Sequence, residues 1–276
     1  MATYTSYDLV EFGEPLQPRE RQMPEPTGAQ VLMRVRRSGV CHSDLHIAEG
    51  YFDLGSEGKF RMGERGMKLP MAMGHEILGE ITALGPEAEG VEIGATMLVH
   101  PWIGCSTEDC RPCNEGREND CATMRAIGVV RDGGYGEYVL VDHPKFLVDV
   151  DGLDPDTVTP YACSGVTVYN ALKKAGMTAD DEWLAVMGAG GLGLNAVAIG
   201  KAMGFPNIVS VDIDERKLQA AAQMGADAVL SGTREDALDE LRRITGNKLL
   251  AVVDTVGAPS TSNLGIRALL KTGRYV

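Results

Sequence analysis

No stretch of the sequence approaches the roughly 20 consecutive apolar residues needed to cross a bilayer, so a helical membrane span is excluded. Basic residues are scarce: 26 Lys and Arg stand against 39 Asp and Glu, a formal charge of −13. That balance repels phosphate. It excludes nucleic acid as a partner and disfavours an anionic membrane surface. Residues 1–8 carry no basic region followed by an apolar one, so no signal peptide is expected. Solenoid repeats and low-complexity linkers are absent too. The six cysteines are clustered and unevenly spaced, which suits metal ligands in a reducing cytoplasm rather than a disulfide scaffold.

What is present falls into two halves. Residues 1–155 are rich in Gly, Pro and short apolar runs. Strands are expected over 31–35, 77–82, 96–100 and 137–141, with turns at Gly85-Pro86 and Asp132-Gly133-Gly134. This half reads as an irregular β-domain and holds every His and every Cys except Cys163. Beyond Asp154-Pro155 a helix is expected over 158–174. Strands at 183–187, 208–211, 228–230, 250–254 and 274–276 then alternate with helices at 192–203, 215–224, 235–244 and 259–270. That alternation predicts right-handed βαβ units and a parallel sheet. The α/β chain is therefore expected as two domains, 1–155 and 156–276. The second is expected to be incomplete, a fragment of a longer fold, because no crossover helix follows the strand at 274–276.

In the second half a strand at 183–187 runs into Gly188-Ala189-Gly190-Gly191-Leu192-Gly193 and then a helix, with Asp212 lying 19 positions beyond Gly193 at the end of the next strand. This is the pattern of a dinucleotide-binding turn. Gly188 permits the tight turn, Gly190 lets backbone approach a pyrophosphate, and Gly193 lets helix pack on strand. Gly191 and Leu192 complete the turn, whose helix N-terminus offers unpaired N–H groups to phosphate. Asp212 can accept from ribose hydroxyls and would repel a 2′-phosphate, which points to NAD over NADP. Lys217 lies within reach of the ribose, Arg216 is a potential phosphate partner that weakens the NAD preference, and Val256 completes the expected cofactor-binding set.

In the first half, Cys105, Cys110, Cys113 and Cys121 share a polar loop, and the two-residue gap in Cys110-Arg111-Pro112-Cys113 lets two thiolates bind one ion. Four sulfurs with no open position describe a structural zinc; two disulfides are the alternative. The remaining sulfurs are Cys41, in Gly39-Val40-Cys41-His42-Ser43-Asp44-Leu45-His46, and Cys163, in Tyr161-Ala162-Cys163-Ser164-Gly165, with Gly74-His75-Glu76 between them. Two thiolates and an imidazole leave a fourth zinc position open, the arrangement of a catalytic site. Taken alone, Cys163 also reads as a packed core thiol.

In this order, these motifs resemble the zinc-dependent medium-chain alcohol dehydrogenase family over nearly the whole chain. The resemblance implies a GroES-like catalytic domain, a Rossmann domain and NAD-linked interconversion of an alcohol with its aldehyde or ketone. It maps Cys41, His75 and Cys163 to catalytic zinc ligands, with Glu76 beside the metal. Ser43 and His46, with the cofactor ribose, form a proton relay, and Asp44 orients the His75 imidazole. Imidazole suits the end of a relay because it titrates near neutrality. Trp102 is expected either to line a pocket for an uncharged alcohol or to pack in the core; His42, His100 and His143 are given no role. The family also implies a homo-oligomer, dimer or tetramer, and chain beyond the position of Val276.

Two departures stand out: 34 positions from Cys41 to His75, with a Gly-rich basic segment at 51–68 expected near the active-site mouth, and four residues between Cys105 and Cys110 where the family has two. Rival readings are a zinc polyol or amino-alcohol dehydrogenase, an inactive NAD- and zinc-binding remnant, and a zinc-free reductase of the same fold, the last opposed by the intact ligand set.

Overall fold

The computed structural model describes residues 2–176 and 179–276. The chain forms two compact units, Met1–Cys163 and Ser164–Val276. The break expected after residue 155 thus falls later, and all six cysteines lie in the first unit.

In chain order the first unit contains β1 (Thr3–Leu9), β2 (Gln17–Gln22), β3 (Val31–Gly39), α1 (His42–Glu49), β4 (Tyr51–Asp53), β5 (Lys59–Arg61), β6 (Met71–Ala72), β7 (Glu76–Leu84), β8 (Thr96–Val99), the one-turn α2 (Arg111–Asn114), β9 (Tyr138–Val141) and β10 (Leu147–Asp149). Its main sheet is antiparallel, in the order β10-β8-β7-β3-β9. Alternate residues Val31 and Met33 on β3, Ile77 and Ile81 on β7, and Val139 and Val141 on β9 close over one buried core with Val99, Ile103 and Ile127. A smaller sheet runs β2-β1-β6, and β4 pairs with β5 as a hairpin. The sequence reading missed β1 and β2. β2, Gln-Pro-Arg-Glu-Arg-Gln, is polar and almost wholly exposed, so no apolar alternation marks it; pairing with β1 makes it a strand. The segment at 51–68 is the β4–β5 hairpin with two short 3₁₀ turns, and Phe52, Phe60, Met62 and Met67 pack with Leu9, Ile47, Met71 and Met73.

The continuous helix expected over 158–174 is not formed. A 3₁₀ turn, Thr159–Ala162, is followed by Cys163 at φ −119°, ψ −78°, and only then by α3 (Ser164–Ala175). Those angles lie outside the helical range. The interruption has a consequence at the site, because it sets the Cys163 thiol beside Cys41.

The second unit continues with β11 (Trp183–Met187), α4 (Gly191–Ala202), β12 (Asn207–Asp212), α5 (Glu215–Gln223), β13 (Ala228–Ser231), α6 (Ala237–Thr245), β14 (Leu249–Asp254), α7 (Pro259–Ala268) and β15 (Arg274–Tyr275). Its sheet is parallel throughout, ordered β13-β12-β11-β14-β15. Side chains along β11 alternate between two cores: Leu184 and Val186 meet α3 and α4, while Ala185 and Met187 meet Leu241 of α6 and Ala268 of α7. Strands buried on both faces explain why this half reads as continuous apolar runs. No helix among the described residues is long and apolar enough to cross a membrane.

Candidate functional site

The site in the first unit begins at the end of β3. Cys41 is the N-cap of α1, and its backbone N–H donates to Asp44 Oδ2 at 2.8 Å, which fixes the first turn of the helix. The Cys41 thiol therefore sits at the positive end of a helix. Cys163 Sγ lies 3.7 Å away, and His75, brought in by the segment entering β7, lies beside them fully buried. His75 Nδ1 meets Asp44 Oδ1 at 3.1 Å, so that nitrogen carries the proton and Nε2 presents a lone pair. Nε2 has no hydrogen-bond partner, although it is buried. The Glu76 carboxylate completes the group, and one ligand atom from each of Cys41, His75, Glu76 and Cys163 lies within 4.8 Å of the others.

This donor set fits a zinc ion. Two Zn–S bonds of about 2.3 Å at a tetrahedral angle place their sulfurs about 3.8 Å apart, whereas a disulfide holds them near 2.05 Å. The observed 3.7 Å matches the first and excludes the second. An unpartnered imidazole lone pair aimed among two sulfurs is what a metal would satisfy.

The electrostatics make the cluster a place for positive charge. The Cys163 thiol beside it, with the His75 ring and Ser43, holds Cys41 down at about 3, a thiolate at neutral pH. Burial disfavours the charged His75 ring, but the Asp44 carboxylate and the Cys41 thiolate outweigh it and carry the ring up to about 9. Burial, then the Cys41 thiolate, pushes Glu76 up to about 7, and Cys163 is raised chiefly because Cys41 takes its hydrogen bond.

The four-cysteine lobe shows the same spacing twice. Cys105 and Cys113 sulfurs lie 3.8 Å apart, as do those of Cys110 and Cys121, and all four fall within 4.8 Å of one another. The two-disulfide alternative is excluded by these distances. The extra residues between Cys105 and Cys110 form a turn with Ser106 at φ +57°, and the Thr107 hydroxyl lies 3.1 Å from the Cys105 sulfur.

In the second unit the glycine turn joins β11 to α4. A Cβ on Gly193 would collide with the Gly188 carbonyl, and Gly188 itself has φ +90°, so neither position accepts another residue without strain. Gly190 and Gly191 face open space, which leaves room for a phosphate at the helix N-terminus. Asp212 lies across from the turn. Its Oδ2 accepts from Ala189 N–H at 2.6 Å and its Oδ1 from the N–H groups of Ile213 and Asp214.

Residues 27–152 match the family described as alcohol dehydrogenase GroES-like domain, and residues 191–276 match zinc-binding dehydrogenase. An NAD-dependent alcohol dehydrogenase of Saccharolobus solfataricus is 40% identical over 270 residues, covering 97% of this chain and 76% of its own length. The chain belongs to the zinc-binding alcohol dehydrogenase family. Sulfurisphaera tokodaii has an NAD-dependent alcohol dehydrogenase 39% identical over the same shares. Among solved structures, the alcohol dehydrogenase of Aeropyrum pernix superposes with a TM-score of 0.82 at 28% identity, over 98% of this chain and 77% of its own. The D-arabinose dehydrogenase of Sulfolobus solfataricus superposes at 0.83 and 29%, over 100% and 80%.

The fold of this alcohol dehydrogenase brings together residues that the sequence reading named separately. Cys41, His75, Glu76, Cys163 and Asp44 converge, and Ser43 bonds Cys41. His46 lies one turn beyond Ser43 on α1, half-buried, its ring against His42 and Phe52 and its Nδ1 3.6 Å from Glu49. Trp102 lies with its ring 5.7 Å from that of His75 and donates Nε1–H to the Ala162 carbonyl, which anchors the turn leading to Cys163. His100 stacks on Phe146 and His143 accepts from Lys145 N–H. Lys217 is exposed, and Arg216 pairs with Asp214. Exposed Val256 reaches back over Gly188, held by Asp254, which accepts from the N–H groups of Val256 and Gly257.

Two residues were missed. Asp254 ends β14 as Asp212 ends β12, a parallel that was readable in the sequence. Tyr135, whose hydroxyl donates to Asp44 Oδ2 at 2.9 Å, carries no sequence signal beyond its place after a Gly-Gly turn.

Proposed function

We propose that the protein interconverts an uncharged alcohol and its aldehyde or ketone, with hydride passing to or from NAD. Cys41, His75 and Cys163 hold a catalytic zinc, and Cys105, Cys110, Cys113 and Cys121 hold a structural one. The observation that carries this reading is the buried, unpartnered His75 Nε2 in a cluster with two sulfurs at zinc-bridging distance. Zinc at that position supplies Lewis acidity, which lowers the pKa of a bound hydroxyl toward neutrality.

The residues around it do the rest. Asp44 keeps the His75 tautomer with Nε2 free and is the partner that raises ligand basicity. Glu76, protonated more readily than an ordinary carboxyl, would stand beside the metal as an alternative ligand. In oxidation the alcohol loses a proton from oxygen and a hydride from carbon. Ser43 accepts the proton and hands it by way of the cofactor ribose to His46, three residues further along α1 and on the same face, which returns it to solvent. Gly188, Gly190, Gly191, Leu192 and Gly193 receive the pyrophosphate, with Val256 beside the turn. Asp212, with three of its acceptor sites filled by backbone N–H groups, keeps one on Oδ2 for a ribose hydroxyl and excludes a 2′-phosphate, with Lys217 at the rim. Six cysteines gathered as metal ligands support a reducing, cytoplasmic setting, and the family's architecture supports a homo-oligomer.

A panel of alcohols assayed for NADH formation tests the reading. Simple apolar alcohols are expected to turn over with NAD and at least tenfold more slowly with NADP. The likeness to a D-arabinose dehydrogenase favours a second reading, in which polyols are the better substrates. No NADH from any alcohol or polyol by a zinc-loaded protein would leave only a binding remnant.

His46→Ala is expected to keep zinc and NAD binding while lowering alcohol oxidation on the order of tenfold or more, mainly at and below neutral pH, where hydroxide cannot replace the lost base. A pH–rate profile from 6 to 9 that overlays the unmodified enzyme would end the relay somewhere other than His46.

A further inference from the structure

The geometry points to Tyr135 as a positioning residue that aims Asp44 at His75 and so fixes the imidazole toward the metal. This inference rests on the reading above, in which His75 is a zinc ligand.

Asp44 is buried, 3% exposed, and its two oxygens are loaded unequally. Oδ2 accepts from Cys41 N–H at 2.8 Å and from the Tyr135 hydroxyl at 2.9 Å; Oδ1 is left for His75 Nδ1 at 3.1 Å. A carboxylate turns about its Cβ–Cγ bond, and two donors converging on one oxygen stop that rotation with the other oxygen on the histidine.

Tyr135 also belongs to the turn that holds the histidine itself. Gly133 N–H donates to Ala72 O at 2.8 Å, Gly134 N–H to Gly74 O at 2.8 Å and Tyr135 N–H to Met73 O at 2.9 Å. The Tyr135 ring lies so close on Gly74 that a Cβ there would strike it, and a Cβ on Gly133 would collide with the Gly74 carbonyl. One four-residue turn, Asp132-Gly133-Gly134-Tyr135, therefore fixes the backbone that delivers His75 and the carboxylate that orients it. Loss of the hydroxyl takes away one of the two donors that converge on Asp44 Oδ2, in a buried place where an unfilled acceptor is costly.

Zinc release from the holoprotein into a chromogenic chelator tests this. Tyr135→Phe keeps the ring on Gly74. It is expected to release one of the two ions about tenfold faster, the scale of loss for an outer partner of a metal ligand, while the other ion leaves at the unmodified rate and the unfolding midpoint falls by only a few degrees. In an Asp44→Ala background, where release is already fast, adding Tyr135→Phe is expected to change nothing, because the short bond of the hydroxyl is to that carboxylate and its other acceptor, Gly39 O, lies at 3.5 Å. Unmodified release by Tyr135→Phe, or an acceleration that persists without Asp44, would overturn the assignment; so would loss of both ions together, which would make the hydroxyl a general support of the fold. An unmodified protein that binds a single zinc would overturn the metal reading itself, and this inference with it.

Discussion

Cys41→Ser protein is expected to carry one zinc per chain instead of two and to lose alcohol oxidation by roughly a thousandfold or more. The Cys41 thiol is held near 3, so at neutral pH it is already a thiolate, and the helix N-terminus behind it favours that charge. A serine hydroxyl stays neutral and is a poor zinc ligand. His75→Ala removes the other anchor: the buried ring carries the only imidazole in the cluster, and Asp44 would lose its partner at the same time. Lewis-acid assistance is worth several kcal/mol, and each ~1.4 kcal/mol is tenfold in rate. Metal analysis and NADH formation, run on the same samples, give the answer. Either variant retaining two zinc ions and most of its activity would place the ion elsewhere.

Cys110→Ser strikes the fold rather than the chemistry. The lobe that carries it has little else to hold it: α2 is a single turn, far below the length at which a helix stands alone, and the short 3₁₀ segment Glu118–Asp120 has no buried residue. Ile103 and Cys121 are its buried anchors, with the Lys145–Glu118 pair at its edge. Metal binding is folding free energy in such a segment, on the order of 10 kcal/mol for a structural zinc, and losing one of four ligands forfeits a share of it. For a unit of this size that corresponds to roughly 10 °C or more in unfolding temperature. Circular dichroism melts of the variant, and of the unmodified protein with and without chelator, measure it. A melt displaced by only a degree or two would show that the lobe stands without metal.

The sequence was most legible where burial is two-sided or chemistry is local. The strands of the parallel sheet are apolar runs broken by turns, and the observed elements there differ from the expected ones by only a residue or two at most ends. The glycine turn was legible because the collision at Gly193 leaves only one residue type. The four-cysteine lobe was legible because its ligands lie close together in the chain. What could not be read depends on contacts between distant segments. β2 is a strand only because β1 lies beside it. The helical pattern at 158–174 is real in composition, yet Trp102 Nε1–H holds Ala162 O, and the chain breaks at Cys163 to deliver a thiol. Tyr135 lies 91 residues from Asp44, and no periodicity reports a hydrogen bond across that distance.

The two cysteine sites differ in how much chain they must gather. Cys105 to Cys121 is a short loop, cheap to close, and its sulfurs can meet before any sheet exists. Cys41 and Cys163 are separated by 122 residues, and His75 joins them only once β3 and β7 have paired and the turn at residues 132–135 has docked. The first ion can be captured by a peptide emerging during synthesis, whereas the second can be captured only by a nearly finished domain. With the ligands proposed here, zinc supply would therefore act on this protein at two separate stages, early on whether it folds and late on whether it works.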